Sequence, residues 1–265
     1  MPQRTISVHD GRFSTPLLEL GDGPPLLYLH GSWPLDLAEG GSPFLRALAE
    51  RFRVLAPIMP GFGDSGGNDH LVDLFDLLYY ELDLLDALEL ANLPLVGHSL
   101  GGMVAAELAA LQPQRFSRLV LIGPLGLWSE DHPVPDFFTY SPPEIAAALF
   151  ANPELPPARA LAEPPAEGDE MIAFQLERAK SMATSAKFLW PIPNRGLSKR
   201  LHRVRMPTLL VWGARDAICP PEYAEDFRAL LPRAELALIP DAGHLPQIEQ
   251  PDATIAVVRR FLSGA

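Results

Sequence analysis

The chain has 265 residues, of which 33 are Asp or Glu and 21 are Lys or Arg, for a formal net charge of -12. An acidic chain repels the phosphates of nucleic acid and an anionic bilayer surface alike, so neither is expected as a partner. At 48% hydrophobic and 20% charged, the composition is globular and leaves room for one large domain, or one domain carrying an insertion.

In chain order, the first 13 residues mix Arg4, His9, Asp10 and Arg12 with polar residues and lack the apolar stretch of a secretory signal. Short apolar runs then recur at 26–29, 54–56, 95–96, 119–122, 209–212 and 236–239, each ending at Gly, Pro or a polar turn. Continuous rather than alternating hydrophobicity is what a strand covered on both faces requires, so these runs predict a parallel sheet. Between them, 71–90 carries Leu74, Leu77, Leu78, Leu82, Leu85 and Leu88 at helical steps, with acidic residues interleaved. A second helix is predicted over 100–112, stopped by Pro113, and a last one over 252–262. The fold class is α/β: a mostly parallel β-sheet flanked by helices.

The alternation fails in the middle of the chain. Ten prolines fall between 124 and 165, above the ~5% background. Helical pieces sit there at 141–150, opened by a Ser141/Glu144 capping box, and at 168–186. The expected organisation is a core of 1–125 and 206–265 with a helical cap inserted at 126–205. The returning tract 187–205, with Arg195, Lys199, Arg200, Arg203 and Arg205, reads as a solvated basic face. The most apolar tract, 119–128, is interrupted by Gly123, Pro124 and Gly126 and falls short of the ~20 residues of a membrane helix. One cysteine, Cys219, and seven scattered histidines provide neither a disulfide nor a metal-ligand spacing. The expectation is a cytoplasmic protein with no metal, cofactor or membrane span; self-association stays open.

Gly-x-Ser-x-Gly occurs twice, at 63–67 and at 97–101, and a chance match somewhere in such a chain is roughly a one-in-ten event, so context decides. Around Ser99 an apolar strand runs in and a helical pattern runs out. A serine on so tight a strand-to-helix turn needs neighbours two before and two after it without a Cβ, and Gly97 and Gly101 meet that need. The helix start also aims N–H groups at the site, which suits a developing anion. Ser65 leads only into Gly67, Asn68 and Asp69, with no helix behind it. Its Gly-Asp-Ser-Gly-Gly context resembles chymotrypsin-like proteases, which are all-β, so Ser65 is read as a loop residue.

With these landmarks the chain resembles the α/β-hydrolase superfamily nearly throughout, outside the cap. The matching stretches are His30-Gly31, Pro60-Gly61-Phe62-Gly63-Asp64-Ser65-Gly66, Gly97-His98-Ser99-Leu100-Gly101-Gly102, residues 213–216 and Gly243-His244, each at a strand end. The resemblance implies Ser99 as nucleophile, His244 as base and Asp216 as the acid orienting His244, in that superfamily's chain order. Some relatives place the acid one strand earlier, where Glu130 and Asp131 stand. The backbone N–H groups of Ser32 and Leu100 are the implied oxyanion hole. His30, His98 and Asp64 read as scaffold. Trp33, Trp128, Phe138, Trp190 and Leu245 are the candidate pocket residues, for a small, largely apolar acyl substrate.

The chemistry implied is hydrolysis of small carboxylic esters, or of lactone- or thioester-like acyl compounds, through an acyl-enzyme. Haloalkane dehalogenases and related epoxide hydrolases carry Asp where Ser99 stands, which argues against those reactions. Carbon-carbon bond hydrolases of the meta-cleavage type share the capped layout but usually have Trp after the histidine, where this chain has Leu245; they are the alternative. A ligand receptor retaining the triad is a third reading, and perhydrolase side activity is common among serine members.

Overall fold

The computed structural model describes residues 3–192 and 194–264. Its strands are β1 (Gln3–Val8), β2 (Phe13–Leu20), β3 (Pro25–Leu29), β4 (Arg53–Pro57), β5 (Leu93–His98), β6 (Phe116–Ile122), β7 (Thr208–Gly213) and β8 (Ala234–Ile239). They form one sheet in the order β1-β2-β4-β3-β5-β6-β7-β8. From β4 to β8 neighbours run parallel, while β2 pairs antiparallel with both β1 and β4. The helices are α1 (Pro43–Leu48), α2 (Leu74–Ala87), α3 (Ser99–Leu111), α4 (Pro142–Leu149), α5 (Pro156–Ala162), α6 (Gly168–Leu189), α7 (Tyr223–Leu230), α8 (Pro246–Glu249) and α9 (Pro251–Ser263).

The continuous apolar runs have a simple origin: alternate residues of each strand enter two different cores. Leu26, Tyr28, Val96, Val120 and Val211 pack on one face with Phe44 and Leu48 of α1 and with Val258 and Phe261 of α9. Leu27, Leu29, Leu95, Leu121 and Leu210 pack on the other, against α2, α3 and α7. The run 236–239 behaves differently. β8 is an edge strand with only β7 beside it, and its Leu238 is 52% exposed, so the expectation of cover on both faces fails there.

α2 is shorter than the expected 71–90 at both ends, and the Asp73 cap sets its start. Asp73 Oδ1 accepts the N–H groups of Phe75 and Asp76 (2.8 and 3.1 Å), and Asp76 answers by accepting from Asp73 N–H (3.4 Å). α3 is buried along its whole length except Leu111, consistent with its Gly- and Ala-rich sequence. β1, β2, α1, α5, α7 and α8 have no counterpart among the sequence-based expectations.

Residues 123–207, between β6 and β7, hold α4, α5 and α6. Glu144 accepts the Ser141 N–H at 2.7 Å, as the expected capping box requires. α6 docks from Phe174 onward, where that ring packs on the core and the Gly63 N–H donates to Glu177 at 3.3 Å. Thr184 donates to the Gly61 carbonyl (3.0 Å), and the Lys187 ammonium donates to the carbonyls of Asn68 (2.7 Å) and Leu71 (3.2 Å). These contacts fall on the loop after β4, at the carboxyl end of the parallel strands. The basic tract is solvated at Arg195, Lys199, Arg203 and Arg205, as expected, and only Arg200 is drawn inward. Arg200 clamps the buried Glu107 of α3 through two bonds of 2.5 and 2.6 Å, and Arg203 donates to the Ala110 carbonyl at 2.9 Å. No described helix is long and apolar enough to cross a membrane.

Candidate active site

Ser99 occupies the junction of β5 and α3 with φ +55°, in the left-handed region that a side chain rarely adopts. The two glycines of the motif make the bend sterically feasible. A Cβ on Gly97 would sit 2.4 Å from the Gly101 carbonyl oxygen, and one on Gly101 would sit 2.3 Å from that of Leu29. The crowding therefore involves β3 as well as the motif itself. The turn is tied down by the Leu125 N–H, which donates to the Ser99 carbonyl at 3.2 Å.

The structure brings Ser99, His244 and Asp216 together across three loops. His244 Nε2 lies 2.8 Å from Ser99 Oγ, and His244 Nδ1 lies 2.8 Å from Asp216 Oδ2. Asp216 follows β7, and His244 lies between β8 and α8. All three residues are buried. Because a carboxylate oxygen faces Nδ1, that nitrogen carries the ring proton, and Nε2 keeps a lone pair toward the serine hydroxyl. The other Asp216 oxygen, Oδ1, accepts the N–H groups of Ile218 (2.9 Å) and Cys219 (2.8 Å). Asp216 thus forms an Asx turn and serves the imidazole at the same time. Glu130 accepts instead from the Trp128 indole at 2.8 Å, and the histidine nitrogens are both engaged elsewhere.

Two further histidines act as neutral posts. His30 Nε2 accepts the Met59 N–H at 3.0 Å, so its Nδ1 donates to the Gly31 carbonyl at 2.7 Å. His98 Nε2 donates to the His244 carbonyl at 2.9 Å. Burial pushes His30 down to about 4 and His98 down to about 3, the latter helped by the neighbouring His244. The pair ties the ends of β3 and β5 to the loops around Ser99 without adding charge.

Ser32 lies on the loop after β3 and Leu100 in the first turn of α3, where N–H groups lack helical partners. The loop is close: a Cβ on Gly31 would lie 3.1 Å from that of Ser99. Trp33 meets Phe137 edge-on at 6.4 Å; Phe137 stacks on Phe138 at 4.6 Å, and Phe138 meets Trp190 at 5.9 Å. Leu245 is buried in the main core. Trp128 stands apart from that aromatic row, on the wall of an outer groove it shares with Asp226 and Leu230. Ser65 is an isolated turn residue whose hydroxyl reaches the Ser14 carbonyl at 3.5 Å.

One narrow, largely apolar crevice begins a helical turn beyond Ser99, lined by Met103, Leu125, Phe137, Phe188 and Ile192 among others. None of the candidate pocket residues Trp33, Trp128, Phe138, Trp190 and Leu245 lines this crevice. Met103 and Leu125 gave no signal, being ordinary apolar residues whose neighbours come from elsewhere.

The fold and this arrangement are those of a hydrolase with the parallel-sheet core in which a serine is carried on a strand-to-helix turn. The chain belongs to the alpha/beta hydrolase family, whose model matches residues 26–257. It is 32% identical over 268 residues to the dihydrolipoyllysine-residue acetyltransferase component of the acetoin cleaving system of Pseudomonas putida. That match covers 92% of this chain and 65% of the relative, so the chain spans just under two thirds of that protein. It is 28% identical to the 2-hydroxy-6-oxo-6-phenylhexa-2,4-dienoate hydrolase of Burkholderia cepacia, over 95% of this chain and 92% of the relative. Among solved structures, a membrane phospholipase A superposes with a TM-score of 0.79 at 27% identity, covering 99% of this chain and 86% of that one.

Proposed function

We propose that the protein hydrolyses small carboxylic esters through an acyl-enzyme on Ser99. The supporting observation is the unbroken line of hydrogen bonds from Ser99 Oγ through His244 to Asp216, two contacts of 2.8 Å each. In this mechanism Ser99 Oγ attacks the ester carbonyl carbon as His244 Nε2 takes its proton. Asp216 holds the imidazolium that results. The N–H groups of Ser32 and Leu100 receive the oxyanion, and His244 returns its proton to the leaving alcohol. Water, deprotonated by His244, then attacks the acyl carbon and releases the acid.

Residues 126–205 act as a cap in this reading, and the crevice beside Met103 and Phe137 receives an apolar acyl or alcohol group. The substrate is a small, largely apolar acyl compound. A likeness to both a phospholipase and a dienoate hydrolase keeps a second reaction in view, cleavage of a carbon-carbon bond by the same three residues. Its expected Trp after the histidine is absent, and Leu245 is committed to the core.

Turnover of a short aryl ester tests the proposal, with a dienone substrate run beside it. Ser99→Ala should lower turnover on the order of a million-fold. Near-unsubstituted hydrolysis by that variant would remove the assignment. A single slow equivalent of product per protein, in place of many, would favour a receptor over an enzyme.

A further inference from the structure

The loop that carries His244 is gripped by one buried carboxylate, and the same carboxylate grips the helical segment. Glu249 closes α8 and is 9% exposed. Its Oε2 accepts the Gly243 N–H at 2.5 Å, and its Oε1 accepts the N–H of Asn152, three residues past α4, at 3.0 Å. Beside this bridge the His244 N–H donates to the carbonyl of Leu149, the last residue of α4, at 2.8 Å. The fit is tight: a Cβ on Gly243 would lie 2.7 Å from the Leu149 oxygen and 2.8 Å from the Ala151 nitrogen. Three hydrogen bonds therefore fasten residues 149–152 to Gly243 and His244.

The clasp bears on the reaction because the ring of His244 is only as well placed as its backbone. Asp216 and Ser99 hold the ring nitrogens, and His98 holds the carbonyl. The N–H at 244 is held from outside the core, by the last residue of α4, and the N–H at 243 is held by Glu249 of α8, whose other oxygen is anchored on Asn152 of the helical segment. Removing the Glu249 carboxyl leaves the buried Gly243 N–H without an acceptor and releases the N–H of the exposed Asn152 on the helical side, so the loop must move to find another partner. A displacement of about 1 Å at a reacting group costs on the order of a hundredfold in rate.

Building on the reading of His244 as general base, we propose that Glu249 is a positioning residue that couples docking of the helical segment to the placement of His244. With residues 149–152 docked, Nε2 stays within reach of Ser99 Oγ. When that segment lifts, the His244 N–H loses its acceptor and Glu249 loses its anchor on Asn152, and the base drifts from the nucleophile.

The test compares the unsubstituted chain with Glu249→Ala and Glu249→Gln, each normalised by complete labelling with a fluorophosphonate. Turnover of p-nitrophenyl acetate and of a long-chain ester, and amide exchange at residues 152 and 243, are measured on each. For Glu249→Ala, kcat per labelled site should fall about 10- to 100-fold for both esters, with KM within about twofold. Exchange at both amides should quicken together. Glu249→Gln keeps one acceptor oxygen but turns an NH2 toward the other N–H, so it should fall between the two. A kcat per labelled site within about twofold of the unsubstituted chain, or faster exchange confined to residue 243, overturns the proposal. Should Glu249→Ala not fold, Asn152→Pro removes the N–H on the helical side together with the side chain that accepts the Glu154 N–H, for which Asn152→Ala is the control; a kcat below that of Asn152→Ala at constant KM supports the coupling, and an equal kcat overturns it. Hydrolysis surviving Ser99→Ala would instead sink the reaction assignment, whatever the Glu249 variants do.

Discussion

Glu81 offers a sharp test of how this core treats charge. It sits on α2, fully buried, and neither carboxyl oxygen has a hydrogen-bond partner among the described residues. Burial alone pushes its pKa up to about 8, from 4.5. The sign follows from proton counting. Between about pH 4.5 and 8 the folded chain keeps a proton on Glu81 that the unfolded chain has lost, so stability falls as pH rises through that window. Each pH unit within it costs about 1.4 kcal/mol, and the full window sets an upper limit of roughly 5 kcal/mol. Glu81→Gln has nearly the same shape and cannot ionise. Urea unfolding of both proteins from about pH 5.5 to pH 8 should show the stability difference moving by up to about 3 kcal/mol in favour of Gln. For a chain of this size that is a shift of roughly 6 to 10 °C in Tm. Parallel curves, with a difference that changes by less than about 0.5 kcal/mol, would mean that Glu81 ionises normally, reached by water or by a counter-charge.

Three other substitutions probe the packing around the site. Gly101→Ala places a Cβ 2.3 Å from the Leu29 carbonyl oxygen, so it should destabilise the chain by about 2 kcal/mol or more, since neither backbone can yield cheaply; a Tm unchanged from the parent would contradict the close approach of α3 to β3. Arg200→Met strands the buried Glu107 carboxylate, and chemical denaturation should record a loss of about 2 to 3 kcal/mol, less than for a fully enclosed pair because the arginine is partly exposed. Phe137→Ala enlarges the crevice beside Met103; a panel of esters of increasing acyl length should shift toward longer chains, at about 3 to 5 kcal/mol of stability. An unchanged length preference would place the acyl group elsewhere.

Much of the site was legible because its steric demands are local. Gly97 and Gly101 flank Ser99 at the spacing a strand-to-helix bend requires, and the apolar runs before and after them mark the strand and the helix. Asp216 and His244 were legible by position, each on the loop after a predicted strand. What joins them to Ser99 is the adjacency of β5, β6, β7 and β8 in the sheet. The edge strand β1 and its neighbour β2 were not legible, since an antiparallel pair at a sheet margin carries a broken pattern, with Pro16 and Glu19 inside β2.

The sequence alone determined the α/β class, the central parallel strands and the bend that exposes one serine, because each follows from contacts between residues a few positions apart. Only the tertiary structure decided that Glu249 would bridge Gly243 to Asn152, that Arg200 would leave the solvent for Glu107, and which apolar side chains face the crevice. Those pairings span about ninety residues or more and depend on how α3, α4 and α8 pack, a condition that no local pattern of residues encodes.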